Sequence, residues 1–284
     1  MRSIKRIHQA VYAPIGDLIT YSALPTRSID QIDPFLLLNH HGPQQYAPDN
    51  NGLPFGPHPH RGMETVTFIL AGEIMHKDSQ GHESVITAGG VQWMTAGRGL
   101  IHAEVSSSGF KKKGGPLEIL QLWINLPSDL KMTQPQYSGL QKQDIPELEM
   151  NDGRVTINVI SGSYDGAKGA FESLTDVHLQ TIQFKAGEKL ILSVPTTRNI
   201  FFYVIKGSVN LNNQEVKNLQ LAEMNNDSEI LQVEATKDSI ILFGHAVPLN
   251  EPVVAKGPFV MNTEEEIHAA YEDYQQGKFG SWKN

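Results

Sequence analysis

Apolar residues along this chain fall in short runs. TVTFIL, LEILQLWINL, VTINVI, HLQTIQF, LILSV, IFFYVI and ILQVEA stand between segments rich in Gly, Pro, Asn, Asp and Ser. Runs of this length, rich in β-branched and aromatic residues, predict strands, and many in succession predict a sandwich or barrel rather than alternating βαβ units. Helical periodicity surfaces once, near the C-terminus. Thr263 and Glu266 have capping-box spacing, Ile267, Ala270, Tyr271 and Tyr274 recur at i, i+3, i+4 and i+7, and Gly277 follows. One amphipathic helix is expected there.

The stretch LPSDLKMTQPQYSGLQKQDIPELEMNDG, residues 126–153, is polar, proline-bearing and aperiodic. It predicts a boundary between an N-terminal part, residues 1–130, and a C-terminal part, residues 131–284, that ends in the helix. The halves echo each other: GMETVTFILAGEIMHKDS and TRNIFFYVIKGSVNLNNQ each read as strand, glycine turn, strand. A duplicated β-barrel follows from that echo.

Composition narrows the function classes. With 39% hydrophobic residues over 284 positions the chain can bury a substantial core, yet no run approaches the roughly 18 to 20 apolar residues of a membrane span. The N-terminal MRSIKRIHQAVY is basic but lacks the apolar centre of a secretory signal. A soluble, cytoplasmic, monomeric protein is expected, with no membrane association. Cysteine is absent, so any metal must be held by nitrogen and oxygen. The net charge of −8 provides no field for phosphate backbones, so direct nucleic-acid binding is not expected. The basic run Lys111–Lys113 lies in SSSGFKKKGG and reads as a solvated loop.

The candidate chemistry lies in the histidines. In GPHPHRGMETVTFILAGE, residues two apart on an extended strand share a face, so His58, His60 and Glu64 are expected to look the same way. Some forty residues later, His102 and Glu104 repeat the spacing. Two such pairs on neighbouring strands would bring three imidazoles and a carboxylate to one point, a mononuclear metal site. Imidazole suits iron, zinc, copper and nickel, whereas magnesium and calcium prefer oxygen. Four ligands on an octahedral ion leave two positions open, as iron(II) oxygenases require; zinc would close the site or make it hydrolytic. On parity alone either Glu64 or Glu104 can be the oxygen ligand. His40 and His41 are neighbours, so at most one can approach the metal.

Three segments carry a resemblance: DPFLLLNH (33–40), PHPHRGMETVTFILAGEIMHKDSQGHESVITAGGVQWMTAGRGLIHAE (57–104) and GPFVMNTEEEIHAAYEDYQQGKFG (257–280). Together they resemble the pirin family of bicupins. The resemblance implies an all-β fold of two stacked cupin (jelly-roll-like) β-barrels with a C-terminal helix, and one divalent metal, usually Fe(II), in the N-terminal barrel only. Zn, Mn, Ni and Cu are alternatives. The family's ligands fall on His58, His60, His102 and Glu104, and its glutamate at the place of Glu64 is not a ligand. Relatives often carry an acidic pair where this chain has Asn39 and His40.

In the C-terminal part the histidines are His178, His245 and His268. None forms an HxH pair, so no second metal is expected, and that barrel reads as structural. The activity implied is that of the quercetin 2,3-dioxygenases, which open a flavonol ring with loss of carbon monoxide, with Glu104 as base. A small aromatic substrate would lie against Phe68, Trp93 and Met94, with His40 as a further pocket residue. The alternative implied is a regulatory protein whose metal redox state sets its affinity for a transcription factor or metabolic enzyme. Arg61, Arg98 and Lys111–Lys113 would then form the face for an acidic partner.

Overall fold

The computed structural model describes residues 1–282, and its chain divides into two compact units. One contains Tyr12–Tyr21, Phe35–Gln143 and the segment that begins at Leu249; the other contains Met1–Val11, Ser22–Pro34 and Asp144–Pro248. Each unit pairs a larger antiparallel sheet with a four-stranded one, the two-sheet plan of a cupin barrel.

In the first unit the larger sheet includes, in spatial order, Gln136–Leu140, Val91–Thr95, Met63–Ala71, Gly115–Asn125 and Phe35–Tyr46, and the smaller runs Phe55–His60, Leu100–Val105, Glu73–Asp78, Glu83–Thr87. Ile69, Ile74, Ile86, Leu117 and Ile119 pack together with Phe110 as its apolar core. In the second unit the larger sheet runs Ile4–Gln9, Gln220–Met224, Asn199–Lys206, Ser239–Ala246, Val177–Phe184, Val155–Ser161, Glu147–Met150. Its companion sheet runs Lys189–Ser193, Ile230–Ala235, Ser208–Leu211, Gln214–Lys217.

The two chain ends depart from the expected division at residue 130. Ile4–Gln9 pairs antiparallel with Gln220–Met224, and Ile4 and Ile7 pack on the second unit's core. The helix Glu264–Gln275 belongs to the first unit, not to the second. Its capping box is present as the sequence predicts. Its apolar stripe, Ile267 and Ala270, is buried against Phe259, Met261 and Phe279. Periodicity shows that a helix has an apolar face; it does not show which surface covers it.

Three further differences are local. The segment 126–153 is not a bare linker: Gln136–Leu140 pairs with Val91–Thr95, and Glu147–Met150 with Val155–Ser161. Both are edge strands with few fully buried side chains, so their alternation is weak. Ser108–Lys113 is a short helix rather than a loop, because the Ser107 hydroxyl accepts from the Phe110 amide and Phe110 is buried. The stretch 56–73 is not one strand. Phe55–His60 and Met63–Ala71 lie in different sheets, separated at Arg61 and Gly62, where Gly62 takes a φ of 80°.

Candidate metal centre

That break decides which groups meet. His58 and His60 stay on the small sheet, where Phe55–His60 pairs with Leu100–Val105 in a register that sets His58 opposite His102. Residues directly opposite in an antiparallel pair share a face. The three rings accordingly converge, with centroids 4.8 Å (His58–His60), 4.4 Å (His58–His102) and 4.9 Å (His60–His102) apart. One nitrogen from each lies within 4.8 Å of the others.

The protonation pattern leaves lone pairs for a ligand. His58 Nδ1 lies 2.7 Å from the Gly56 carbonyl and His60 Nδ1 lies 3.2 Å from the Pro258 carbonyl. A carbonyl only accepts, so both Nδ1 atoms carry the proton and both Nε2 atoms present lone pairs. Among the described residues, neither nitrogen of the buried His102 has a hydrogen-bond partner. Burial, reinforced by His58, pushes His60 down to about 3, and burial with His60 and His58 nearby pushes His102 well below the usual imidazole range. Both are neutral at physiological pH, the state that binds a metal. A buried imidazole with no partner is destabilising unless something satisfies it. The donor set therefore fits a borderline divalent metal.

Glu104 lies on the same strand as His102 and the same face, but its carboxylate is not gathered into the three-histidine group. Oε1 accepts from Thr67 Oγ1 at 2.8 Å and from Gln92 Nε2, and Oε2 accepts from Gln121 Nε2. Glu64, across the strand break, is buried on the larger sheet opposite Thr95, whose hydroxyl donates to its Oε1 at 2.7 Å. Burial raises the Glu64 carboxyl to about 7 against the opposing pull of that hydrogen bond.

Register also sorts the pocket candidates. Thr67 and Gln121 reach Glu104 and are paired with each other. Residues opposite or two removed from them share their face: Thr65, Trp123, Gln92, which pairs with Thr67, and Met94, which pairs with Thr65. Met94 thus lies on the metal-facing wall. Phe68 pairs with Leu120 and Val91, and Trp93 with Val66, on the opposite face. His40, opposite Leu120, shares that opposite face and binds Glu118 Oε1 at 2.9 Å, whereas its neighbour His41 faces the other way. His40, Phe68 and Trp93 are therefore not walls of the metal pocket. Each lies an odd number of residues from a metal-facing position, a parity that cannot be read until the strands' register is known.

The sequence did not single out Thr67, Gln92, Gln121, Trp123, Tyr137 or His76. Trp123 sets its ring edge on His60 with centroids 5.2 Å apart, and His76 stacks on Tyr137 at 3.7 Å while standing 5.5 Å from His102. Once Gln121 is placed, Trp123 follows from spacing of two. Asp78, buried between His76 and His82, is held down at about 2: burial raises it, and the hydrogen bonds from His76 and from His82's amide and ring outweigh that. The basic face also changes, since Arg61 is buried and paired with Asp273 at 2.9 Å.

A duplicated two-sheet barrel with three histidines gathered to one point in the N-terminal copy defines a bicupin with a candidate metal centre. Family models agree on both halves: the Pirin model matches residues 18–124 and the Pirin C-terminal cupin domain matches residues 179–280. The chain belongs to the pirin family. Among its relatives, Pirin-1 of Arabidopsis thaliana is 40% identical over 261 residues, covering 89% of this chain and 86% of that protein. A pirin-like protein of Caulobacter vibrioides is 37% identical over 258 residues, covering 90% and 91%. Among solved structures, a quercetin 2,3-dioxygenase from Acinetobacter baumannii superposes with a TM-score of 0.93 at 36% identity, covering 99% of each chain. No helix among the described residues is long and apolar enough to cross a membrane.

Proposed function

We propose that this chain is an iron(II)-dependent dioxygenase that opens the ring of flavonols such as quercetin. The observation that carries the reading is the cluster of three imidazoles with uncommitted lone pairs, set in a wall that mixes polar anchors with Met94 and Trp123. The end-to-end likeness to a protein named quercetin 2,3-dioxygenase supports the substrate class. His58, His60 and His102 would hold the metal, which when bound supplies a redox-active Lewis acid beside which substrate and dioxygen can be placed.

Glu104 is the fourth ligand in this reading, and the base for the substrate's hydroxyl proton. A carboxylate has about four lone-pair sites, and three side-chain donors occupy three of them, so Oε2 retains one. Thr67, Gln92 and Gln121 fix that oxygen's position. Trp123 Nε1 is a buried donor without a partner among the described residues, suited to a substrate carbonyl. His58 is only partly buried, so the centre is reachable from one side.

The test is anaerobic reconstitution with iron(II), followed by oxygen uptake and carbon monoxide release on adding quercetin, with His102→Ala as control. Iron-dependent turnover that the variant lacks supports the reading. One iron per chain with no oxygen uptake would replace it with a redox-responsive binding protein.

A further inference from the structure

The Nδ1–H of His60 is oriented by a carbonyl 198 residues away, that of Pro258, at 3.2 Å. The strand that follows Pro258 is tied to the metal-bearing strand's end. The Val260 amide donates to the Arg61 carbonyl at 3.1 Å. Lys131, fully buried, donates from Nζ to the Val260 carbonyl at 3.0 Å, the Gly62 carbonyl at 3.0 Å and Asn125 Oδ1 at 2.7 Å. Arg61 then reaches the helix: its Nη2 donates to Asp273 Oδ2 at 2.9 Å, its Nε to the Arg98 carbonyl at 2.7 Å, and its guanidinium lies 4.7 Å over the Phe279 ring.

The second metal-bearing strand is held by the same segment. Ile101, next to His102, packs against the cluster of Phe259, Met261, Ile267 and Phe279. Ser79 Oγ accepts from the Ile101 amide at 3.1 Å and donates to the Phe279 carbonyl at 2.7 Å. The chain is glycine where these approaches are closest. A Cβ at Gly62 would stand 2.0 Å from the Val260 carbonyl oxygen, and one at Gly99 would stand 2.6 Å from the Phe279 ring.

We propose that the segment 258–280 positions the metal-binding histidines, and that its docking and metal occupancy are thermodynamically coupled. A metal bound through His60 Nε2 draws on the ring orientation that the Pro258 carbonyl fixes; groups that orient a ligating histidine typically change metal affinity by about 10- to 100-fold when lost. Coupling between two binding equilibria is reciprocal. Whatever loosens the helix Glu264–Gln275 lowers metal affinity, and the metal in turn tightens the helix. Arg61, Lys131 and Asp273 are positioning residues in this scheme, since none belongs to the three-histidine group. The proposal rests on the metal reading of His58, His60 and His102, whatever the substrate.

Hydrogen exchange of the full chain, with and without iron(II) under anaerobic conditions, is the first measurement. Slowed exchange over 260–275 on adding iron is expected, alongside that of 55–60 and 100–105. Iron affinity by competition with a chelator is the second. Asp273→Asn is expected to weaken iron about 10-fold at temperatures well below unfolding and to abolish the slowing over the helix, with Asp273→Glu restoring both. Asp238→Asn, which breaks an exposed pair with Lys185 in the other barrel, should leave both unchanged. Protection confined to 55–60 and 100–105, with Asp273→Asn within twofold of the natural chain, overturns the coupling. A natural chain that binds no iron at all overturns instead the metal reading on which it rests.

Discussion

The two barrels share a plan of a large and a small antiparallel sheet but fill it differently. In the C-terminal barrel, Ile182, Phe202, Leu231 and Phe243 belong to a single continuous apolar core that also takes in Ile4 and Ile7. In the N-terminal barrel, beside the apolar cluster of Ile69, Ile74, Ile86, Leu117 and Ile119, a space is walled by Thr67, Gln92, Gln121 and the three histidines. Imidazoles do converge in the C-terminal barrel, where His178 stacks on His245 at 4.6 Å. There three of the four nitrogens are committed: His178 Nε2 donates to Asp176 Oδ1 at 3.1 Å and Nδ1 accepts from the Ser163 amide at 3.3 Å, while His245 Nδ1 accepts from Arg198 Nε at 2.7 Å. Proximity of two rings therefore does not by itself leave lone pairs for a metal. What distinguishes the two is whether the inward-facing lone pairs are left free.

The largest effect that tests this contrast is loss of the metal. His102→Ala should retain no iron after desalting while keeping its β-sheet circular dichroism, whereas His245→Ala should keep iron at one per chain; equal iron in both would erase the distinction. Phe202→Ala comes next. It opens a cavity in the apolar barrel and should lower stability by about 3–5 kcal/mol without changing iron stoichiometry, as read by denaturant titration of the metal-free chain.

The pH dependence of stability separates the barrels further. Glu64, raised to about 7 in the folded N-terminal barrel, binds a proton between about pH 4.5 and 7 that the unfolded chain has released. Its contribution therefore destabilises as pH rises through that window, by about 3 kcal/mol in full above pH 7. The buried neutral histidines His60, His102 and His245, held below the usual imidazole range, act in the opposite direction below about pH 6.5, so Glu64→Gln should make the slope of stability between about pH 5 and 7 more positive; an unaltered slope would remove Glu64 as a contributor. The smallest expected change is that of Gln121→Leu, which frees Glu104 Oε2 from its donor. Iron affinity should fall about 10-fold with the unfolding midpoint of the metal-free chain little changed, and an unchanged dissociation constant would show that Glu104's placement does not matter to the metal.

Much of the architecture was legible from local pattern. Short β-branched runs, the echo of GMETVTFILAGE in TRNIFFYVIKGS and the Thr263–Glu266 capping box required only neighbours in sequence, and each appears where its residues place it. The pairs His58–His60 and His102–Glu104 were equally visible, since spacing of two on a strand is a local property. What failed were inferences that carried parity across a break. Glu64 was set with His60 by counting, but the turn at Gly62 moves the chain to another sheet and cancels the count.

The sequence by itself determined that this is a β-rich, duplicated chain with its candidate ligands in pairs, because strand propensity, turn residues and period-two spacing act over a few residues; its resemblance to the pirin family supplied the bicupin plan. Only the tertiary structure decided which faces meet. Register turned Phe68, Trp93 and His40 away from the pocket and turned Trp123, Gln121 and Gln92 toward it. The fold also returned the segment after Pro258 to the histidine-bearing strands, nearly two hundred residues from His60. Contacts of that range are set by which apolar surfaces bury each other and which buried donors find acceptors, and no local pattern carries that information.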